Sequence, residues 1–201
     1  KERLEQKIAA KREAGVDIIS LGIGDPDTPT PGFIVDVMRD QVAKPDTHQY
    51  PSNRGRESFR AAIAGFYSGR FSVSLDPATQ IIPAMGAKEA VANVNLALLD
   101  PGDVALASDP GYPVYTTGPL LAGAEPVPMP LLAELGFQPD LEAIPADVRA
   151  RARVMFLNYP NNPTGAVVEG DFFERVVDFA RRNDIIVVHD NAYSEITYDG
   201  Y

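Results

Sequence analysis

The chain has 201 residues, 45% hydrophobic and 23% charged, the ordinary mix of a globular protein large enough to bury a core. Basic residues number 18 and acidic residues 28, so the net charge is −10, which argues against nucleic acid or an anionic membrane as partner. There is no cysteine, which excludes disulfides and thiolate chemistry, and His48 and His189 lie too far apart to give a metal-ligand spacing.

Residues 1–14 predict an amphipathic helix with Leu4, Ile8 and Ala9 as a thin apolar stripe. The same stretch, KERLEQKIAAKRE, is charged throughout and lacks the apolar core of a signal peptide. No run of about 18 apolar residues occurs, so no membrane-spanning helix is expected. Asp17–Leu21 is a short β-branched run, and the prolines and glycines of GIGDPDTPTPG then prevent regular structure. Pro31 and Gly32 lead into a helix over FIVDVMRDQVA, 33–43. His48–Gly55 reads as a loop and Glu57–Tyr67 as a helix.

A βα alternation follows. Strands are predicted at Gln80–Pro83, Asp103–Ala107, Glu125–Met129, Arg153–Asn158 and Ile185–His189. Helices are predicted from Gly86 to Leu99, over Tyr115–Leu121, and over Glu169–Asn183. Strands apolar on both faces and separated by helices imply an α/β fold with a mostly parallel sheet flanked by helices. Ligands in such sheets sit at the carboxyl ends of the strands.

Four of those ends are polar. Gly86-Ala87-Lys88 opens a helix, and the unpaired N–H groups of a first helical turn suit a phosphate; the same text also reads as an ordinary glycine turn. In DPGYP, Tyr112 sits between prolines and could stack on a flat ring or pack on the surface. In NYPNNPTG, 158–165, Asn162 precedes Pro163, which biases its backbone and the direction of its amide. Asp190 follows the most apolar strand, where a carboxylate needs a partner or serves as a helix cap.

Taken together, these segments resemble the fold type I enzymes that use pyridoxal 5'-phosphate (PLP), and within them the class I and II aminotransferases. The matching text is LGIGDPDTPTP (21–31), HQYPSNRGRESFRAAIAGFY (48–67), GAKEA (86–90), DPGYPVY (109–115), NYPNNPTG (158–165) and HDNAYSEI (189–196). The spelling is most similar to the branch that contains the LL-diaminopimelate aminotransferases. The resemblance implies an aspartate aminotransferase-like large domain. It divides the chain into an N-terminal arm with part of the small domain, 1–45, and an incomplete cofactor-binding domain, 46–201.

The implied roles follow by position. Asp190 would face the cofactor's ring nitrogen, and Asn162 and Tyr193 its phenolic oxygen. Tyr112 would stack on the ring, and Gly86, Ala87 and Lys88 would take the phosphate, with a surface lysine as the other reading of Lys88. Tyr50 would reach the phosphate of a partner subunit, which implies a homodimer, and Gly24 would lie near the substrate carboxylate. The lysines present are Lys1, Lys7, Lys11, Lys44 and Lys88, none in the family's Schiff-base setting. That lysine and the carboxylate-binding arginine are expected beyond Tyr201, and the chain alone is expected to be inactive.

The expected activity is transfer of an amino group from an amino acid to a 2-oxo acid, in amino acid metabolism and in the cytoplasm. Two alternatives keep the fold: other PLP chemistry, such as a C–S lyase, decarboxylase or cyclopropane-forming synthase, and a non-catalytic regulatory module. A nucleotide-binding reading is set aside. LGIGDPD lacks the third glycine of G-x-G-x-x-G and has prolines where a helix must begin.

Overall fold

The computed structural model describes residues 2–19, 24 and 28–200. The chain forms two compact units, Lys1–Asn53 and Arg54–Tyr201. The predicted boundary at 45/46 falls inside the first unit.

The first unit holds α1 (Glu2–Glu13) and α2 (Gly32–Val42), with a 3-10 turn at Pro45–Thr47. Pro31 precedes the first turn of α2, where a missing N–H does no harm. Among its described residues none is buried. The β-branched run at Asp17–Leu21 is irregular through Ile19, and Ser20 and Leu21 lie outside the described residues.

The second unit holds α3 (Glu57–Phe71), α4 (Ala87–Leu98), β1 (Val104–Asp109), α5 (Val114–Leu121), β2 (Glu125–Pro130), α6 (Ala146–Arg151), β3 (Ala152–Leu157), α7 (Phe172–Asn183) and β4 (Ile186–His189). The four strands are all parallel, in the order β2-β1-β3-β4. The chain leaves β1 for one side of the sheet and returns to β3 on the other. The β1/β3 boundary is therefore the topological switch point, where open α/β sheets bind ligands.

Alternation along the central strands explains the two-sided core. Val104, Leu106, Met155 and Leu157 join one apolar cluster with α7, while Ala105, Ala107, Val154 and Phe156 join a second with α4 and α5. Helix α7 presents Phe172, Val176, Phe179 and Ala180 to the first cluster at helical spacing. Burying such a side chain stabilises the fold by about 1.5–3 kcal/mol.

Prolines in β2 obey a simple rule. Glu125 donates its N–H to Asp103 and Leu131 to Asp109, so odd-numbered residues face β1. Pro126, Pro128 and Pro130 occupy the intervening positions, whose N–H groups the ladder to β1 does not need.

Four differences from expectation have local causes. Gln80–Pro83 is irregular: Ile82 is exposed, and the segment leads into Gly86. Helix α7 begins at Phe172 rather than Glu169, because Gly170 has a φ of +62°. Helix α3 continues to Phe71 and stops at the left-handed Ser72. The short helix α6, not anticipated, lacks the apolar period that would have announced it.

Candidate functional site

The carboxyl ends of β1, β3 and β4 converge on one polar region. At β1, Ser108 is buried and its hydroxyl donates to Phe156 O at 2.9 Å, tying β1 to β3 at the switch point. The chain turns sharply at Gly111, where a Cβ would meet Ser108 O at 2.2 Å, so only glycine fits. This turn delivers the half-buried Tyr112, whose ring meets that of Tyr115 edge-on at 6.0 Å.

At β3, Asn158 is 2% exposed and joins two segments. Its Nδ2 donates to Asp190 O at 2.8 Å, and its Oδ1 accepts from Asn162 N at 2.7 Å. Asn161 is also buried: its Nδ2 donates to Asn158 O at 3.1 Å, and its Oδ1 accepts from the Thr164 hydroxyl at 2.7 Å. The polar loop is thus internally satisfied, as buried polar groups must be. Tyr159 donates to Phe137 O at 2.7 Å, and burial pushes its phenol up to about 12.

At β4, Asp190 donates its N–H to Leu157 O at 2.8 Å, which extends the ladder one residue past the strand. Its carboxylate is half-buried, and Oδ2 accepts from the Tyr115 hydroxyl at 2.8 Å. Tyr115 is 1% exposed and stacks on Phe156, with ring centroids 5.4 Å apart and planes 7° from parallel. Burial raises its phenol well above the ordinary tyrosine range, the bond to Asp190 raises it further, and Tyr193 and Tyr112 add to the effect. Tyr193 is half-buried and within electrostatic reach of Tyr115.

Helix α4 opens on the fourth side. Gly86 has a φ of +94°, which favours glycine, and the helix has no side-chain cap. Glu89 reaches back to accept from Met85 N at 2.6 Å. Lys88 is exposed, with Nζ 5.6 Å from the Tyr112 ring centroid, and hydrogen bonding with Tyr112 raises its ammonium above the ordinary value.

A continuous series of contacts therefore runs Lys88, Tyr112, Tyr115, Asp190. Asn162 is joined to Asp190 through Asn158. Gly24 and Tyr50 belong to the first unit. Tyr50 is fully exposed, and the space around the Cα of Gly24 is open among the described residues. Sequence reasoning passed over Tyr115 and Asn158. Asn158 could have been found, because a polar residue ending a fully apolar strand must be bonded to something. Nothing in the local text pairs Tyr115 with a carboxylate 75 residues away.

The donor set suits a planar, cationic, phosphorylated cofactor. A half-buried carboxylate with one oxygen held by a phenol suits a ring cation, and an uncapped first helical turn suits a phosphate. Among the described residues no group of three or more His, Cys, Asp or Glu could hold a metal ion. No described helix is long and apolar enough to cross a membrane.

Sheet, switch point and donor set define an α/β enzyme of the aspartate aminotransferase-like, fold type I class. The pattern of the family "Aminotransferase class I and II" matches residues 16–201, and the chain belongs to that family of PLP-dependent enzymes. It is 56% identical over 199 residues to an LL-diaminopimelate aminotransferase of Moorella thermoacetica, covering 99% of this chain and 51% of the relative. A protein of the same name from Desulforudis audaxviator is 55% identical with the same coverage. The chain thus spans about half the length of these curated relatives. Among solved structures, BacF from Bacillus subtilis superposes with a TM-score of 0.87 at 40% identity, covering 94% of this chain and 48% of that one. A Thermus thermophilus aspartate aminotransferase superposes at 0.89 with 30% identity, covering 98% and 51%.

Proposed function

We propose that, in the full-length protein, an amino group moves from an amino acid to a 2-oxo acid on PLP held at the carboxyl ends of β1, β3 and β4. The observation that carries this reading is Asp190: a carboxylate at the carboxyl end of β4 held by the buried Tyr115 phenol, whose ring meets Tyr112 and, through it, Lys88 in the first turn of the uncapped helix α4. When bound, the cofactor supplies an electron sink for the carbanion formed at the substrate's α-carbon. The residues of this chain hold and orient the cofactor.

Asp190 keeps the ring nitrogen protonated by placing an anion beside it. Asn162 and Tyr193 hydrogen-bond the ring's phenolic oxygen, and Tyr112 covers one ring face. The N–H groups of Ala87 and Lys88 take the phosphate at the start of α4, where Gly86 lets the chain turn in, and the Lys88 ammonium adds charge. Tyr50 reaches the phosphate in a partner subunit of a homodimer, and Gly24 lines the substrate's carboxylate end. The relatives' name supports a diamino-dicarboxylic substrate. The protein works in the cytoplasm.

The test is a two-substrate assay of the full-length protein with PLP, LL-diaminopimelate or another amino acid, and 2-oxoglutarate. Product beyond one equivalent of the PLP present should form only when both donor and acceptor are present. Repeated turnover without the acceptor would instead indicate a lyase or decarboxylase.

A further inference from the structure

The geometry points to Tyr115 as a positioning residue that holds the Asp190 carboxylate in one orientation, one oxygen taken by the phenol and the other left for the cofactor's ring nitrogen. This rests on the functional reading above.

The phenol has no freedom of its own. Its ring is 1% exposed, stacked on Phe156 at 5.4 Å and met edge-on by Tyr112 at 6.0 Å. A donor fixed in that way imposes its geometry on whatever accepts from it. The acceptor is Asp190 Oδ2, at 2.8 Å. An ionised carboxylate has two oxygens and accepts only, so one donor on Oδ2 leaves Oδ1 for a second. The backbone of Asp190 is fixed independently, through its N–H to Leu157 O and its carbonyl to Asn158 Nδ2. What remains free is rotation of the carboxylate, and the phenol removes it. Tyr115 also remains a donor at working pH, because burial and the neighbouring carboxylate both oppose its ionisation. The pre-organised acceptor then needs no reordering when a cation arrives, which strengthens binding of that cation in particular.

Two measurements test this, with Tyr115→Phe and Asp190→Asn. The first needs no cofactor. With tyrosines labelled at Cζ, the Tyr115 resonance is assigned by its loss in Tyr115→Phe and observed at neutral pH, where the buried phenol stays protonated. In Asp190→Asn it should move, because the charged acceptor of its O–H is gone. A resonance at the same position in both proteins would overturn the contact.

The second compares binding of PLP with an analogue that carries C–H in place of the ring nitrogen. Tyr115→Phe keeps the stacked ring, so the fold should persist, as a thermal melt checks. It should weaken PLP about tenfold, the worth of a hydrogen bond to a charged group, and leave the analogue unchanged. Equal weakening of both ligands would show a packing role and overturn the proposal. If the unaltered protein bound neither ligand, the functional reading would fail, and the cofactor-free resonance would still decide whether Tyr115 holds Asp190.

Discussion

The two ends of the candidate cofactor site are built by different means. At the β3 and β4 ends, side chains do the holding: Asn158 bridges Asp190 and Asn162, and Tyr115 grips the carboxylate. At the start of α4 the backbone does it, through an uncapped helical turn entered by Gly86 at a φ of +94°. The first end concentrates its task in a few replaceable groups. The second spreads it over N–H groups that no ordinary side-chain substitution deletes. Substitutions should therefore be severe at the first end and mild at the second.

Asp190→Asn should have the largest effect, because it removes the fixed charge and keeps the shape. In the full-length protein, amino transfer should fall about a hundred- to a thousandfold, measured as 2-oxo acid produced per unit time. Asn158→Ala comes next. It strips the partners from Asp190 O and Asn162 N in a buried place, so urea unfolding should report a loss of about 2–4 kcal/mol. A loss under 1 kcal/mol would show that water replaces both bonds.

At the other end Gly86→Ala meets no neighbour within 4 Å among the described residues, so only its backbone angle matters. The same unfolding assay should show a loss of about 1–3 kcal/mol. Lys88→Gln should weaken PLP only about threefold, and the difference should fade in high salt, because the ammonium is exposed. A tenfold or larger effect of Lys88→Gln, unaffected by salt, would overturn the contrast between the two ends.

His189 offers the smallest and most specific check. Desolvation lowers its proton affinity in the folded state. The unfolded chain therefore binds the proton more readily, and the stability due to neutral His189 is present above about 6.5 and declines as pH falls. The advantage of the unaltered protein over His189→Gln should shrink between pH 7.5 and pH 5.5.

Much of this was legible in the sequence. The apolar alternation of VALA and RVMFL was readable as strands because each face of the sheet has its own core. Asn162, Asp190 and Tyr112 stood out because polar or aromatic residues at strand ends demand a purpose. Tyr115 did not, since its partner Asp190 is remote in sequence and only the strand order brings the two together. The segment QIIP was misread because a β-branched run says nothing about whether a neighbouring strand exists to pair with it. Helix α6 was missed because six residues cannot show a period of 3.6.

A crystal structure of the protein with PLP bound would test the central claim most directly. The ring nitrogen should lie within about 2.7–2.9 Å of the Asp190 oxygen not used by Tyr115. A ring bound elsewhere, or Asp190 turned to solvent with Tyr115 unbonded, would contradict it.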